Sequence, residues 1–218
     1  MNRPYVIVNC AMSADGKIAL PTKKQIRISS EEDMKRVFHL RNECDAILVG
    51  VGAVLADNPK LTVKESYVDH PIQPVRVVLD TKAQTPNDAL VVNSMARTIL
   101  FVGKGYEKKR MYPENVDVLP SILDKEGFID LEYMLNVLYE KGIRTLLVEG
   151  GGTILWNFIN YRLVDDIFVY IGPLIIGGDV TPTMADGSGA HRKCNVISLV
   201  ILDISRVGEG VLIHYQIQ

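Results

Sequence analysis

The sequence predicts an α/β fold: a mostly parallel mixed sheet, flanked by helices and closed by an antiparallel hairpin. Three observations carry this expectation. Short β-branched and apolar runs with little alternation recur along the chain, as expected of strands buried on both faces. Several of them pass through glycine into a helical pattern, the strand–turn–helix order of parallel α/β sheets. The last two runs, residues 196–204 and 210–217, are joined by a short polar connection and read as a hairpin.

Residues 5–10 are expected to form the first strand, and the Asp15-Gly16 turn follows it. A loop leaving the end of a central strand is where open α/β sheets place ligands, but plain turn chemistry accounts for the same dipeptide, and both readings stand. Ser29, with Glu32 in capping-box spacing, opens a helix to about residue 42. Its apolar face is Met34, Val37 and Phe38, and the next position in that series is Arg41. A guanidinium there either snorkels past the core or pairs with a carboxylate, or it faces an interior site and forks onto a substrate anion.

Residues 46–50 supply the second strand, and 51–59 a short helix stopped by Asp57-Asn58-Pro59. Residues 60–64 are expected to be extended. The third strand, 75–79, ends in Asp80-Thr81-Lys82, which either meets a cofactor or lets Asp80 cap a turn. Residues 98–102 and 115–119 follow as strands four and five. Gly103-Lys104-Gly105 lacks the spacing of a P-loop. Asp130 caps a helix whose apolar positions, Leu131, Met134, Leu135 and Leu138, keep helical period up to Gly142.

The sixth strand, from residue 145, runs into Glu149 and three glycines, Gly150, Gly151 and Gly152. Ile154, Leu155, Phe158 and Ile159 then fall on one helical face. At such a junction the first N–H groups of the helix are unpaired and point outward, and glycine lets an anionic ligand reach the backbone. A phosphate-bearing cofactor suits this site. The G-x-G-x-x-G spacing is absent, so a Rossmann fingerprint is not. Residues 167–171 form a seventh strand, and 179–195 are polar without a clear period.

A chain of 218 residues is expected to form a single domain, 1–218. Its net charge of −2 gives no global attraction to nucleic acid or to an anionic membrane, so any anion site must be local. No apolar run approaches membrane-spanning length, and the N-terminus is too short and too strand-like for a signal peptide. Cys10, Cys44 and Cys194 are too few and too scattered for a disulfide framework or a zinc cluster, so a reducing cytoplasm is expected and no metal. The G-x-S-x-G, H-E-x-x-H and P-C-x-x-C motifs are missing, which excludes the hydrolases and zinc deaminases they mark. Hydride transfer fits better, because the cofactor carries that chemistry and the protein aligns it.

Several segments, in order along nearly the whole chain, carry a family resemblance. They are Ala11-Met12-Ser13-Ala14-Asp15-Gly16-Lys17, Leu40-Arg41, residues 45–50, Gly52-Ala53-Val54-Leu55-Ala56-Asp57-Asn58-Pro59-Lys60-Leu61-Thr62, residues 75–80 and Val148-Glu149-Gly150-Gly151-Gly152-Thr153. Together they resemble the pyrimidine reductases of riboflavin biosynthesis. That resemblance implies a dihydrofolate reductase-like fold, a homodimer, NADPH as hydride donor and a phosphorylated ribosylaminopyrimidine as substrate. Without a deaminase domain, the chain is most similar to the archaeal and fungal type acting on 2,5-diamino-6-ribosylamino-4(3H)-pyrimidinone 5′-phosphate.

Carried over by position, the resemblance lines the NADPH with Ala11, Ala53, Asp57, Asp80, Thr81, Lys82, Gly150, Gly151, Gly152 and Thr153. It turns Arg41, Leu61, Lys64 and Glu149 toward the substrate, with Arg41 and Lys64 as phosphate partners and Glu149 as the catalytic candidate. Ala53 stands where many relatives have threonine, which leaves a backbone contact there. Lys64 stands where arginine is frequent, so a forked contact becomes a point charge. Three alternatives remain: reduction of the deaminated 5-amino-6-ribosylaminouracil 5′-phosphate, reduction of dihydrofolate or another pterin, and a non-catalytic NADP(H)-binding module.

Overall fold

The structure is a computed structural model describing residues 2–106 and 111–218; Met1 lies outside the described residues. Its elements run β1 (Tyr5–Ser13), α1 (Glu31–Glu43), β2 (Ala46–Gly50), α2 (Val51–Asp57), β3 (Val75–Leu79), β4 (Thr98–Gly103), β5 (Val116–Ser121), α3 (Leu131–Glu140), β6 (Thr145–Gly150), α4 (Gly152–Asn160), β7 (Asp166–Gly172), β8 (Leu199–Val207) and β9 (Gly210–Ile217). Hydrogen-bonded neighbours follow the order β5-β4-β3-β2-β6-β1-β7-β9-β8. The expected α/β class, mostly parallel sheet and antiparallel C-terminal end are all present. By internal contacts the chain forms two compact units.

The first unit contains Phe38–Leu147 and the first residues of the chain. In it β2, β3, β4 and β5 pair in parallel, with Ala46 opposite Val75, Arg76 opposite Thr98 and Thr98 opposite Val116. Every residue of β2 and β4 is buried, which is why these runs show no alternation in sequence. The α3 helix begins at the Asp130 carboxylate, which accepts the Tyr133 N–H at 2.8 Å. It ends at Gly142, whose φ of +90° supports the paired bonds from Gly142 N to Tyr139 O and from Ile143 N to Leu138 O. Residues 60–64 are irregular, not extended. Leu61 is buried with φ +50°, a conformation in which a bulky side chain crowds the following carbonyl.

The second unit contains Val6–Val37 and Val148–Gln218. Here β1 pairs in parallel with β7, and β9 lies antiparallel between β7 and β8. The hairpin starts three residues later than expected and turns tightly through Gly208, at φ +57°, and Glu209. The helix cap is also displaced, by one residue. The Ser30 hydroxyl accepts the Asp33 N–H at 3.2 Å, while the Ser29 hydroxyl donates to the fully buried Asp33 carboxylate at 2.5 Å. Once buried, that carboxylate needs partners, and Ser29 serves it rather than the helix end. Among the described residues, no helix is long and apolar enough to cross a membrane.

Candidate active site

In the first unit, residues expected at a cofactor collect at the carboxyl ends of adjacent strands. Gly50, the last residue of β2, pairs with Leu79, the last of β3. Directly after Gly50, α2 carries Ala53 and Asp57 one turn apart on the same helical face, both half-buried. Directly after Leu79 come Asp80, Thr81 and Lys82. The Asp80 carboxylate is fully buried and accepts the Gln84 N–H at 2.8 Å, with the Thr85 N–H and hydroxyl at 2.7 Å each. Its oxygens therefore close the turn. Thr81 and Lys82 are carried outward on that turn, half-buried and exposed respectively.

The same unit brings Arg41, Leu61 and Lys64 together. Arg41 Nη1 donates to the carbonyl of Thr62 at 3.3 Å, so the last turn of α1 is tied to the residue after Leu61. The Arg41 guanidinium lies 5.2 Å and the Lys64 ammonium 5.3 Å from the centre of the Phe38 ring. Phe38 stacks on Tyr67 with centroids 4.5 Å apart and planes at 16°. Two cations thus lie against one aromatic ring. Phe38 registered in the sequence only as core, and Tyr67 in a polar loop gave no periodic signal.

In the second unit, the three glycines prove unequal. A Cβ on Gly150, at φ +64°, would come 2.5 Å from Leu155 Cγ. One on Gly152 would meet the Thr183 carbonyl and the Asp186 carboxylate, at 2.4 and 2.5 Å for the nearest atoms. Gly151, at φ +97°, is exposed and has open space where its Cβ would stand. Packing within the chain explains two glycines; the third leaves the helix start accessible. The N-cap of α4 is Gly151, which has no side chain to cap the helix, and the first N–H groups of a helix begun this way point outward as an anion requires. Thr153 is exposed on that turn, and Glu149 is half-buried at the end of β6. Ala11 lies near the end of β1, opposite Tyr170.

Asp15, left open between ligand loop and turn, serves the turn. It accepts the Ser13 hydroxyl at 2.6 Å and the N–H groups of Ile176 at 3.1 Å and Gly177 at 2.7 Å. The Ser13 bond first, then the backbone donors, hold its carboxyl down at about 2. Burial acts the other way on Cys10, pushing its thiol up to about 12 and leaving it unreactive.

The chain matches known proteins over nearly its whole length. Residues 4–213 match the model of the RibD C-terminal domain family. The chain is 42% identical to the 2,5-diamino-6-ribosylamino-4(3H)-pyrimidinone 5′-phosphate reductase of Archaeoglobus fulgidus over 95% of each chain. It is 38% identical to the reductase of the same name from Methanothermobacter thermautotrophicus over 99% of each. A crystal structure from Thermotoga maritima, a diaminohydroxyphosphoribosylaminopyrimidine deaminase/5-amino-6-(5-phosphoribosylamino)uracil reductase, superimposes with a TM-score of 0.81 at 27% identity. It covers 99% of this chain and 57% of its own. The fold is thus the dihydrofolate reductase-like one of these enzymes, and reductase chemistry implies a nicotinamide cofactor. With a family model matched almost from end to end and archaeal relatives 42% and 38% identical over nearly their whole length, the chain belongs to the RibD C-terminal domain family of riboflavin-pathway reductases.

Proposed function

We propose that this chain uses NADPH to reduce the ribosylamino group of 2,5-diamino-6-ribosylamino-4(3H)-pyrimidinone 5′-phosphate to the ribitylamino product. The observation that carries this is the end-to-end match to stand-alone reductases of that name, at 42% and 38% identity. The pairing of Arg41 and Lys64 around Phe38 supports a phosphorylated substrate over a pterin.

Opening of the ribosylamine breaks the C1′–O4′ bond, moves a proton from nitrogen to O4′ and leaves an imine. Reduction would then place a hydride on C1′, the chemistry a nicotinamide cofactor would supply when bound, and a proton on the imine nitrogen. The protein's part is alignment, because fixing donor and acceptor carbons replaces a bimolecular encounter. The open backbone at Gly151, the uncapped first turn of α4 and exposed Thr153 would hold cofactor phosphate. Ala53, Asp57, Thr81 and Lys82 would line the cofactor from α2 and the β3 turn, with Asp80 shaping that turn. Ala11 would offer backbone at the end of β1. Arg41 and Lys64 would take the substrate phosphate, beside Leu61.

Glu149 would hold the pyrimidine or ribose, or relay the proton. Glu149→Gln then lowers turnover and leaves NADPH binding nearly intact; a large loss of NADPH affinity would place Glu149 on the cofactor instead.

We also propose a cytoplasmic homodimer. Strand β8 leaves Leu199, Val200, Ile201, Leu202 and Ile204 exposed at the edge of its sheet, a surface that a second copy would cover.

The deciding assay follows NADPH oxidation with the diamino compound and its deaminated counterpart side by side, and with dihydrofolate as a third arm. Faster turnover of the deaminated compound would favour the second reading, in line with 34–40% identity to several RibD proteins. Tight NADPH binding without oxidation in any arm would leave a binding module.

A further inference from the structure

Lysine is a weak choice for fixing a phosphate unless something holds it, because its ammonium is a point charge on a flexible stem. Several groups around Lys64 do so. The Gln73 side chain accepts the Val63 N–H at 2.9 Å and donates to the Val63 carbonyl at 3.0 Å, clasping the residue before it on both backbone groups. Arg41 donates to Thr62 one residue earlier. The Lys64 carbonyl then accepts the N–H groups of Tyr67 at 3.0 Å and Val68 at 3.2 Å, which locks Lys64 and Tyr67 into one turn. The Tyr67 ring lies 6.0 Å from the Lys64 ammonium and stacks on Phe38, whose ring is 5.3 Å from the same ammonium.

We infer that Tyr67 is a positioning residue. Stacked on buried Phe38, it completes a two-ring platform that holds the Lys64 ammonium for the substrate phosphate, with Gln73 anchoring the loop that carries both. The inference rests on the reading of Arg41 and Lys64 as phosphate partners. Two cations drawn to one ring repel each other, and an anion meeting both relieves that repulsion. The platform keeps the pair assembled before substrate arrives, so its contribution falls on substrate capture and not on the hydride step.

The test uses the full chain with NADPH and the diamino substrate, in Tyr67→Leu, Tyr67→Phe, Lys64→Ala and the Tyr67→Leu/Lys64→Ala double variant. Tyr67→Leu raises the substrate KM roughly two- to fivefold, the range of an exposed cation–π contact. Its kcat and its KM for NADPH stay at the parent values, and Tyr67→Phe restores the substrate KM. Lys64→Ala raises the substrate KM roughly tenfold or more, as loss of a charged hydrogen bond does. The double variant matches Lys64→Ala alone, because without the ammonium the platform has nothing to hold.

If the two effects multiply, or if Tyr67→Leu moves only the melting temperature, Tyr67 is packing and the inference falls while the phosphate reading stands. An unchanged substrate KM in Lys64→Ala removes the phosphate reading and the inference with it. Should Tyr67→Leu not fold, Tyr67→Met removes the ring at similar volume and is read the same way.

Discussion

The Leu155 side chain lies directly against Gly150: a Cβ built there would meet Leu155 Cγ at 2.5 Å, on backbone already at φ +64°. Gly150→Ala therefore combines left-handed strain with overpacking and is expected to lose about 2–4 kcal/mol in urea unfolding. The loss shrinks in a Leu155→Ala background, where the clash is gone. Gly151→Ala meets no neighbour and carries backbone strain alone, about 1–3 kcal/mol. Its larger effect is expected on NADPH affinity.

Arg76 is fully buried on β3 and is clasped almost wholly by neutral oxygens. Its guanidinium donates to Thr98 Oγ1 at 2.9 Å, Asn93 Oδ1 at 2.9 Å, and the carbonyls of Leu90 at 3.2 Å and of Asn93 and Ala96 at 2.5 Å each. Burial pulls its pKa down to about 10, still charged at neutral pH. Arg76→Met strips the guanidinium's donors from these oxygens and leaves the Asn93 and Ala96 carbonyls to the Asn115 amide alone, and a loss of about 3 kcal/mol is expected. Amide exchange in residues 90–97 accelerates with it. Arg76→Lys rescues little, since an ammonium cannot reproduce the fork.

Two carboxylates held below their usual range contribute stability that is lost in acid. Asp15 titrates at about 2 in the folded chain, chiefly through the Ser13 hydroxyl and the Ile176 N–H. For Asp45, burial pushes upward, but the N–H groups of Arg144 and Thr145 and the Thr145 hydroxyl outweigh it and hold the carboxyl below its usual range. A depressed folded pKa contributes stability above the unfolded value, near about 3.9, and loses it as pH falls through the folded one. The melting-temperature gap between the parent and Asp15→Asn should therefore be constant above about pH 5, narrow below about pH 4, be mostly gone at pH 2 and vanish below it. A gap undiminished at pH 2 would mean that Asp15 acts by shape alone.

Cysteine labelling gives a direct check on burial. Cys10 and Cys44 are 7% and 6% exposed, and Cys194 is exposed. At pH 8, native protein is expected to label at Cys194 and to gain the other two sites only on unfolding.

If β8 is the dimer edge, Ile204→Lys places a charge on a side chain 58% exposed at the end of the sheet. Light scattering should then report monomers where the parent chain gives dimers. Dimers that survive the substitution would move the interface elsewhere.

Legibility differed by the kind of information involved. Strands β2 and β3 could be bounded from sequence to the residue, because a strand buried on both faces is a mostly apolar run bounded by turn residues, with Arg76 on β3 the one buried charge inside it. The Asp130 cap and the Gly142 terminus of α3 were legible for a similar reason, since a helix end needs a specific donor or acceptor nearby in the chain. The cap of α1 slipped from Ser29 to Ser30 because burial of Asp33 is set by the fold, and no local pattern records it.

The same division runs through the site. The order Glu149-Gly150-Gly151-Gly152-Thr153, the doublet at Arg41 and the Asp80 turn are local, so the sequence by itself marked them and, through their joint order, the family. Which glycine faces open space, and how Lys64, Arg41 and Tyr67 meet around Phe38, depend on residues up to 34 positions apart in the chain. Only the folded chain sets those distances, because packing and backbone closure, not composition, decide which side chains share a surface.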